Sequence, residues 1–234
     1  GDLFAHQAAA ETDAAVREGL RGEGREAFGK AETVLSGLAG EMAAERDAWV
    51  RKTNGRQPTA KERAEEEAFL SVHLEADLQG ARSRHGRARL LDGTAREKAL
   101  REALDAFMEF ELSWGDTPVL HEASLTWALV YGDLGRNADA LTRFDHAISI
   151  KESFRQPNGK FALGAWEREI VLRGYGGKAQ ALNEAKDFAA AVAAVDEMLA
   201  VDPAAASDRN GFLALLQKCD ALAGLGKGTE AAAL

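Results

Sequence analysis

Four prolines, Pro58, Pro118, Pro157 and Pro203, are all that the 234 residues contain, and each stands beside glycine or small polar residues where a helix has to stop. The blocks between them are rich in Ala, Leu, Glu, Arg and Lys, the strong helix formers, and hold no convincing run that alternates apolar with polar β-formers. Alanine supplies roughly one residue in five, while isoleucine occurs only at Ile148, Ile150 and Ile170, the reverse of what a sheet needs. The whole chain reads as helical.

Hydrophobic residues make up 46% and charged residues 29% of the chain, which predicts a folded protein that stays in solution. A net charge of −9 argues against a dedicated nucleic-acid binder, whose positive field must displace counterions. No run approaches 18 uninterrupted apolar residues, so no membrane span is expected. The single cysteine, Cys219, excludes an intrachain disulfide framework and a cysteine-rich zinc site, and the compartment stays unassigned. The start at Gly1-Asp2, without methionine, reads as a trimmed or excised piece.

Residues 1–83 predict a short helix near 2–19, a glycine-punctuated break at Gly19–Gly24 and a long helix from about 24 to 52. Phe28, Leu35, Met42 and Trp49 recur every seven residues with Ala31 and Leu38 between them, an apolar stripe that needs a partner. The loop Asn54-Gly55-Arg56-Gln57-Pro58 ends that helix, and Thr59 followed by Glu62 predicts a capping box opening the next, which carries Leu70, Leu74, Leu78, Ala81, His85 and Ala88 toward Leu91. An antiparallel helical hairpin follows from this order.

Beyond residue 84 one theme repeats: a tight turn, a small residue, a larger apolar residue four positions on, and another apolar or small residue three further. It is seen in Ala103, Phe107 and Phe110; in Leu134-Gly135 before Ala140, Phe144 and Ala147; in Lys186-Asp187-Phe188 before Ala191, Val195 and Met198; and in Leu225-Gly226 before Ala231. With Trp127, Ala128 and Tyr131 ahead of the second set, the pattern resembles the tetratricopeptide repeat family, whose unit is a helix-turn-helix of about 34 residues. The copies span about 84–120, 121–154, 172–205 and 208–234, the last incomplete, and the steps between Ala103, Ala140, Ala191 and Ala231 are unequal, with an insertion near Gln156-Pro157-Asn158-Gly159.

Over 84–234 the resemblance implies an all-α, right-handed superhelix, an α-solenoid of antiparallel helical hairpins, while residues 1–83 read as an N-terminal long-helix hairpin region compatible with further divergent repeats. It also implies that the first helix of each pair lines a concave groove for a peptide or helix of another protein. The inward positions so implied are Glu122, Leu125, Leu129 and Asp133, then Arg173, Gly176, Gln180 and Asn183. Leu125 and Leu129 stand where some relatives place a lysine-asparagine clamp for a terminal carboxylate, which favours an apolar or helical ligand.

No residue set argues for a catalytic centre, a metal or a cofactor. The histidines His6, His73, His85, His121 and His146 form no HExxH and lack cysteine partners, and the pair His73 and Asp77 offers only two ligands. Gly174-Tyr175-Gly176-Gly177-Lys178 and Gly224-Leu225-Gly226-Lys227-Gly228-Thr229 lack the earlier glycine of a phosphate loop, since Leu172 and Ala221 stand there. The run Arg82–Arg89 reads as a solvated face pairing with Glu65, Glu66, Glu67 or Asp92. Trp114, Trp127 and Trp166 read as packing residues, any one of which becomes an anchor if exposed on the groove. The expectation is a non-catalytic scaffold or adaptor for another protein. Its alternatives are a self-assembling homo-oligomer, built on the stripe Phe28-Leu35-Met42-Trp49, and a regulatory or accessory domain of a larger protein.

Overall fold

The structure, a computed structural model, describes residues 2–54 and 56–234; Gly1 and Gly55 lie outside the described residues. It is an all-α protein whose helices pack in chain order, and the only extended pairing among the described residues is one antiparallel bridge between Arg155 and Phe161. Among the described residues no helix is long and apolar enough to cross a membrane. The chain divides into two compact units, Gly1–Gly115 and Asp116–Leu234. Position 83/84 lies inside a helix that packs on both of its neighbours.

The first unit holds α1 (Asp2–Ala10), α2 (Ala14–Thr53), α3 (Ala60–Ala88) and α4 (Gly93–Trp114). The break expected at Gly19–Gly24 falls instead at Glu11–Asp13, where Asp13 accepts from the Ala15 and Val16 amides at 2.9 and 3.0 Å and caps a helix of 40 residues, about 60 Å long. Tertiary bonds hold the glycine-rich turn helical: Arg21 and Arg25 both donate to the Leu90 carbonyl, at 3.2 and 3.0 Å, and Arg21 also pairs with Asp92 at 2.7 Å.

The apolar stripe of α2 finds its partner in α3. Phe28 is buried with its ring on Gly86, where a Cβ would collide with it, and Trp49 meets Phe69 edge-on at 6.5 Å. The capping box opens α3, with the Glu62 amide donating to Thr59 Oγ1 at 3.2 Å and the Thr59 amide donating to the Glu62 carboxylate at 2.9 Å. On α4, Ala99, Leu100, Ala103, Phe107 and Phe110 form the buried face. Trp114 donates to Asp77 at 2.9 Å and stands edge-on to His73.

The second unit holds α5 (Val119–Asp133), α6 (Asn137–Ser149), a 3-10 turn (Ile150–Phe154), α7 (Ala165–Glu184), α8 (Phe188–Val201), a second 3-10 turn (Pro203–Ser207), α9 (Arg209–Gly224) and the single turn α10 (Gly228–Ala231). Close contacts fix their directions. Gly174 faces Ile148 and Gly177 faces Phe144, so α7 runs antiparallel to α6; Lys218 reaches Asp196 and Gly224 faces Phe188, so α9 runs antiparallel to α8. These contacts also account for the glycines of α7: a side chain at 174 or 177 would enter Ile148 or the Phe144 ring. Arg168 bonds Asp202 and Asp208, tying the start of α7 to both ends of the second 3-10 turn.

Candidate functional site

Three helices of the second unit end in the same way. Gly135, Lys186 and Gly226 each have positive φ (71°, 61° and 74°), and the next amide returns to a carbonyl five residues back: Arg136 to Tyr131, Asp187 to Leu182 and Lys227 to Leu222, at 2.9, 2.9 and 2.8 Å. This Schellman closure satisfies carbonyls that the helix end would leave bare and reverses the chain within a few residues. α5, α7 and α9 thus share one C-terminal turn, and α7 packs on both α5 and α9.

Counting back from the positive-φ residue aligns Glu122 with Arg173 and Leu213, Leu125 with Gly176 and Leu216, and Leu129 with Gln180 and Asp220. Leu129 is 41% exposed. Glu122 is half-buried and accepts from Trp166 Nε1 at 3.0 Å, and Trp166 itself is partly open to solvent. Arg173 is exposed and lies 3.4 Å from Glu169, Gln180 is exposed and donates to Glu184, and Asp133 is half-buried at the end of α5.

Two of the implied groove residues are engaged in packing within the unit. Leu125 is only 3% exposed, on a helix that packs on both α6 and α7. Asn183 is engaged within the fold, donating to the Gln217 carbonyl at 2.8 Å and to its side-chain oxygen at 3.2 Å, which fastens α7 to α9. Gly176 faces Ala214 across the same seam. Conversely, Leu213, Leu216 and Asp220 of α9 occupy matching places that the sequence pattern alone left unnamed; the turn Leu225-Gly226 was the signal that would have registered them.

The other constellations are absorbed by packing. His121 stacks on His146 at 4.5 Å. His121 Nδ1 lies 2.8 Å from the His146 carbonyl and therefore carries a proton; Ser124 Oγ donates to the Leu120 carbonyl, so His146 Nδ1 donates to Ser124. Trp127 is fully buried, with the Arg143 guanidinium over its ring. Gly174–Lys178 lies within α7 and Gly224–Thr229 joins α9 to α10. Cys219 is half-buried, its Sγ 3.6 Å from the Ala231 carbonyl. In the basic run, Arg87 lies 3.2 Å from Glu32 on α2 and 3.4 Å from Glu102 on α4, while Asp92 pairs with Arg21. Among the described residues no three His, Cys, Asp or Glu side chains converge on a metal position.

Two polar features remain. Between α2, α3 and α4 a cleft of about 290 Å³ is lined by Glu32, Leu35, Asp77, Arg84, Glu109 and Phe110, and burial pushes the Glu32 carboxyl up. In the second unit, the buried Lys151 ammonium donates to Tyr175 and to Glu197 (2.7 Å), and the Tyr175 hydroxyl also donates to Glu197 at 2.6 Å. Burial first, and then the neighbouring Glu197, hold the Tyr175 hydroxyl protonated well above the usual range. Lys151 is thereby satisfied on the spot, joining the 3-10 turn after α6 to α7 and α8. No family model, curated protein or solved structure matches the chain.

Proposed function

We propose that the chain is a non-catalytic binding scaffold of tetratricopeptide type, a right-handed superhelix of hairpins that holds a peptide or helix of another protein along the exposed side of α5 and α7. The observation that carries this reading is the thrice-repeated turn with α5, α7 and α9 in matching register, since a stack of like hairpins leaves the same side of each first helix open. On that side Leu129 is the apolar anchor, with Glu122, Arg173 and Gln180 as polar groups around it. A ligand with one or two apolar side chains flanked by polar ones suits this surface, and no cofactor enters the reading.

Selection from a displayed peptide library against the intact chain tests it. The expected result is a family of peptides that bind wild type and lose at least about tenfold in affinity on Leu129→Glu or Arg173→Glu, with the helical circular dichroism unchanged. Peptides that bind both variants undiminished would move the interface off α5 and α7. Leu125→Glu is unsuitable for this purpose, since Leu125 is buried and a carboxylate there would attack the fold itself.

A further inference from the structure

On α9, Arg209, Leu213, Leu216 and Asp220 succeed one another at steps of four, three and four residues, which places them within about 60° of one line along the helix. Phe212 flanks that line. The opposite side of α9 is the packed one, carrying the buried Gly211, Ala214, Ala221 and Leu222. Phe212, Leu213 and Leu216 are 55%, 48% and 43% exposed, an apolar ridge facing straight out from the unit. Arg209 and Asp220, at the two ends of the ridge, are exposed, and neither side chain makes an ion pair or hydrogen bond among the described residues.

We propose that this ridge pairs with the α9 ridge of a second copy of the chain, the two helices lying antiparallel about a twofold axis that passes between Leu213 and Leu216. The surface is self-complementary in that one arrangement. Leu213 of one copy meets Leu216 of the other, and Arg209, about 16 Å along the helix from Asp220, meets Asp220 of the other, so the Arg209–Asp220 pair forms at both ends of the seam. Parallel pairing would instead set Arg209 against Arg209 and Asp220 against Asp220. A single-helix seam buries less than the roughly 1,200 Å² of a stable complex, so the dimer is weak, with a dissociation constant on the order of 100 µM. The pairing uses α9 alone and does not rest on the peptide-binding reading of α5 and α7.

Light scattering and sedimentation velocity on the intact chain, from about 10 µM to about 1 mM, test the pairing. Wild type is expected to shift from monomer to dimer across this range. Arg209→Asp and Asp220→Arg are each expected to weaken dimerisation about tenfold, since each replaces two attractions by two repulsions. Mixing those two variants restores it, because the mixed dimer again opposes unlike charges at both ends. Leu216→Glu abolishes it with unchanged circular dichroism. A strict monomer throughout would overturn the proposal, as would a dimer indifferent to Leu216→Glu or single reversals that mixing does not rescue.

Discussion

Trp49 donates its indole N–H to the backbone carbonyl of Glu62 at 2.9 Å, across the loop that joins α2 to α3. The carboxylate of Glu62 meanwhile accepts from Arg56 and from the amide and hydroxyl of Thr59. One residue thus closes the hairpin through its main chain and caps α3 through its side chain.

Those bonds, Arg56 foremost and Thr59 after it, hold the Glu62 carboxyl well below the usual carboxylate range. A depressed folded-state value means the stabilisation is complete above the unfolded value of about 4.3 and is lost as pH falls below it. Glu62→Gln is therefore expected to lower the thermal midpoint at pH 7, and the gap to wild type should narrow steadily as pH falls from about 4.3 toward 2. Thermal circular dichroism at several pH values checks this; a gap independent of pH would assign the loss to packing. Thr59→Ala, which removes one half of the box, should cost about 1 kcal/mol.

The Lys151–Tyr175–Glu197 group predicts an asymmetry. Lys151 is 8% exposed, whereas Glu197 reaches solvent. Glu197→Ala leaves a buried ammonium with Tyr175 as its one hydrogen-bond partner of the network and is expected to cost about 2–3 kcal/mol, below the full buried-pair penalty because one end is wet. Lys151→Met keeps the stem's packing and lets Glu197 turn to water, so about 1 kcal/mol or less is expected. Chemical denaturation of the two variants decides it, and equal losses would contradict the assignment of Lys151 as the costly partner.

The glycines of α7 give opposite signs one residue apart. A methyl at Gly177 would run into the buried Phe144 ring, so Gly177→Ala should destabilise by about 1–2 kcal/mol even after the gain in helix propensity. A methyl at Gly176 meets only Ala214 Cβ at 3.8 Å, an ordinary contact, and Gly176→Ala should stabilise by up to about 1 kcal/mol. Denaturant midpoints for the pair check both.

How far such features could be read in advance depended on whether the signal was local. The Thr59–Glu62 box and the turns at Gly135 and Gly226 rest on short-range chemistry and are plain in the sequence. The stripe Phe28-Leu35-Met42-Trp49 was legible too, because heptad spacing demands a partner helix whatever its identity. The continuity of α2 through Gly19–Gly24 was not, since it depends on Arg21 and Arg25 reaching Leu90, more than sixty residues away. The burial of Leu125 was not legible for the same kind of reason, since no periodicity within α5 encodes the packing of α5 on both α6 and α7. Lys151 gave no signal at all, because a lysine in a polar stretch is ordinarily solvated.

The equivalence of the three hairpin turns makes its own forecast. Lys186 holds the left-handed conformation that glycine holds at 135 and 226, and a Cβ there costs roughly 1 kcal/mol. Lys186→Gly relieves that strain at the expense of a more flexible unfolded chain, for a net gain of about 0.5 kcal/mol. Gly135→Ala runs the opposite way and should lose about 1 kcal/mol, although nothing lies within 4 Å of the added methyl, so the loss is backbone strain and not a clash. Urea midpoints measured for both variants would show the two shifts with opposite sign. If Lys186→Gly destabilised, the turn at 186 would owe its shape to its lysine side chain, and α7 would no longer count as closed by the same device as α5 and α9.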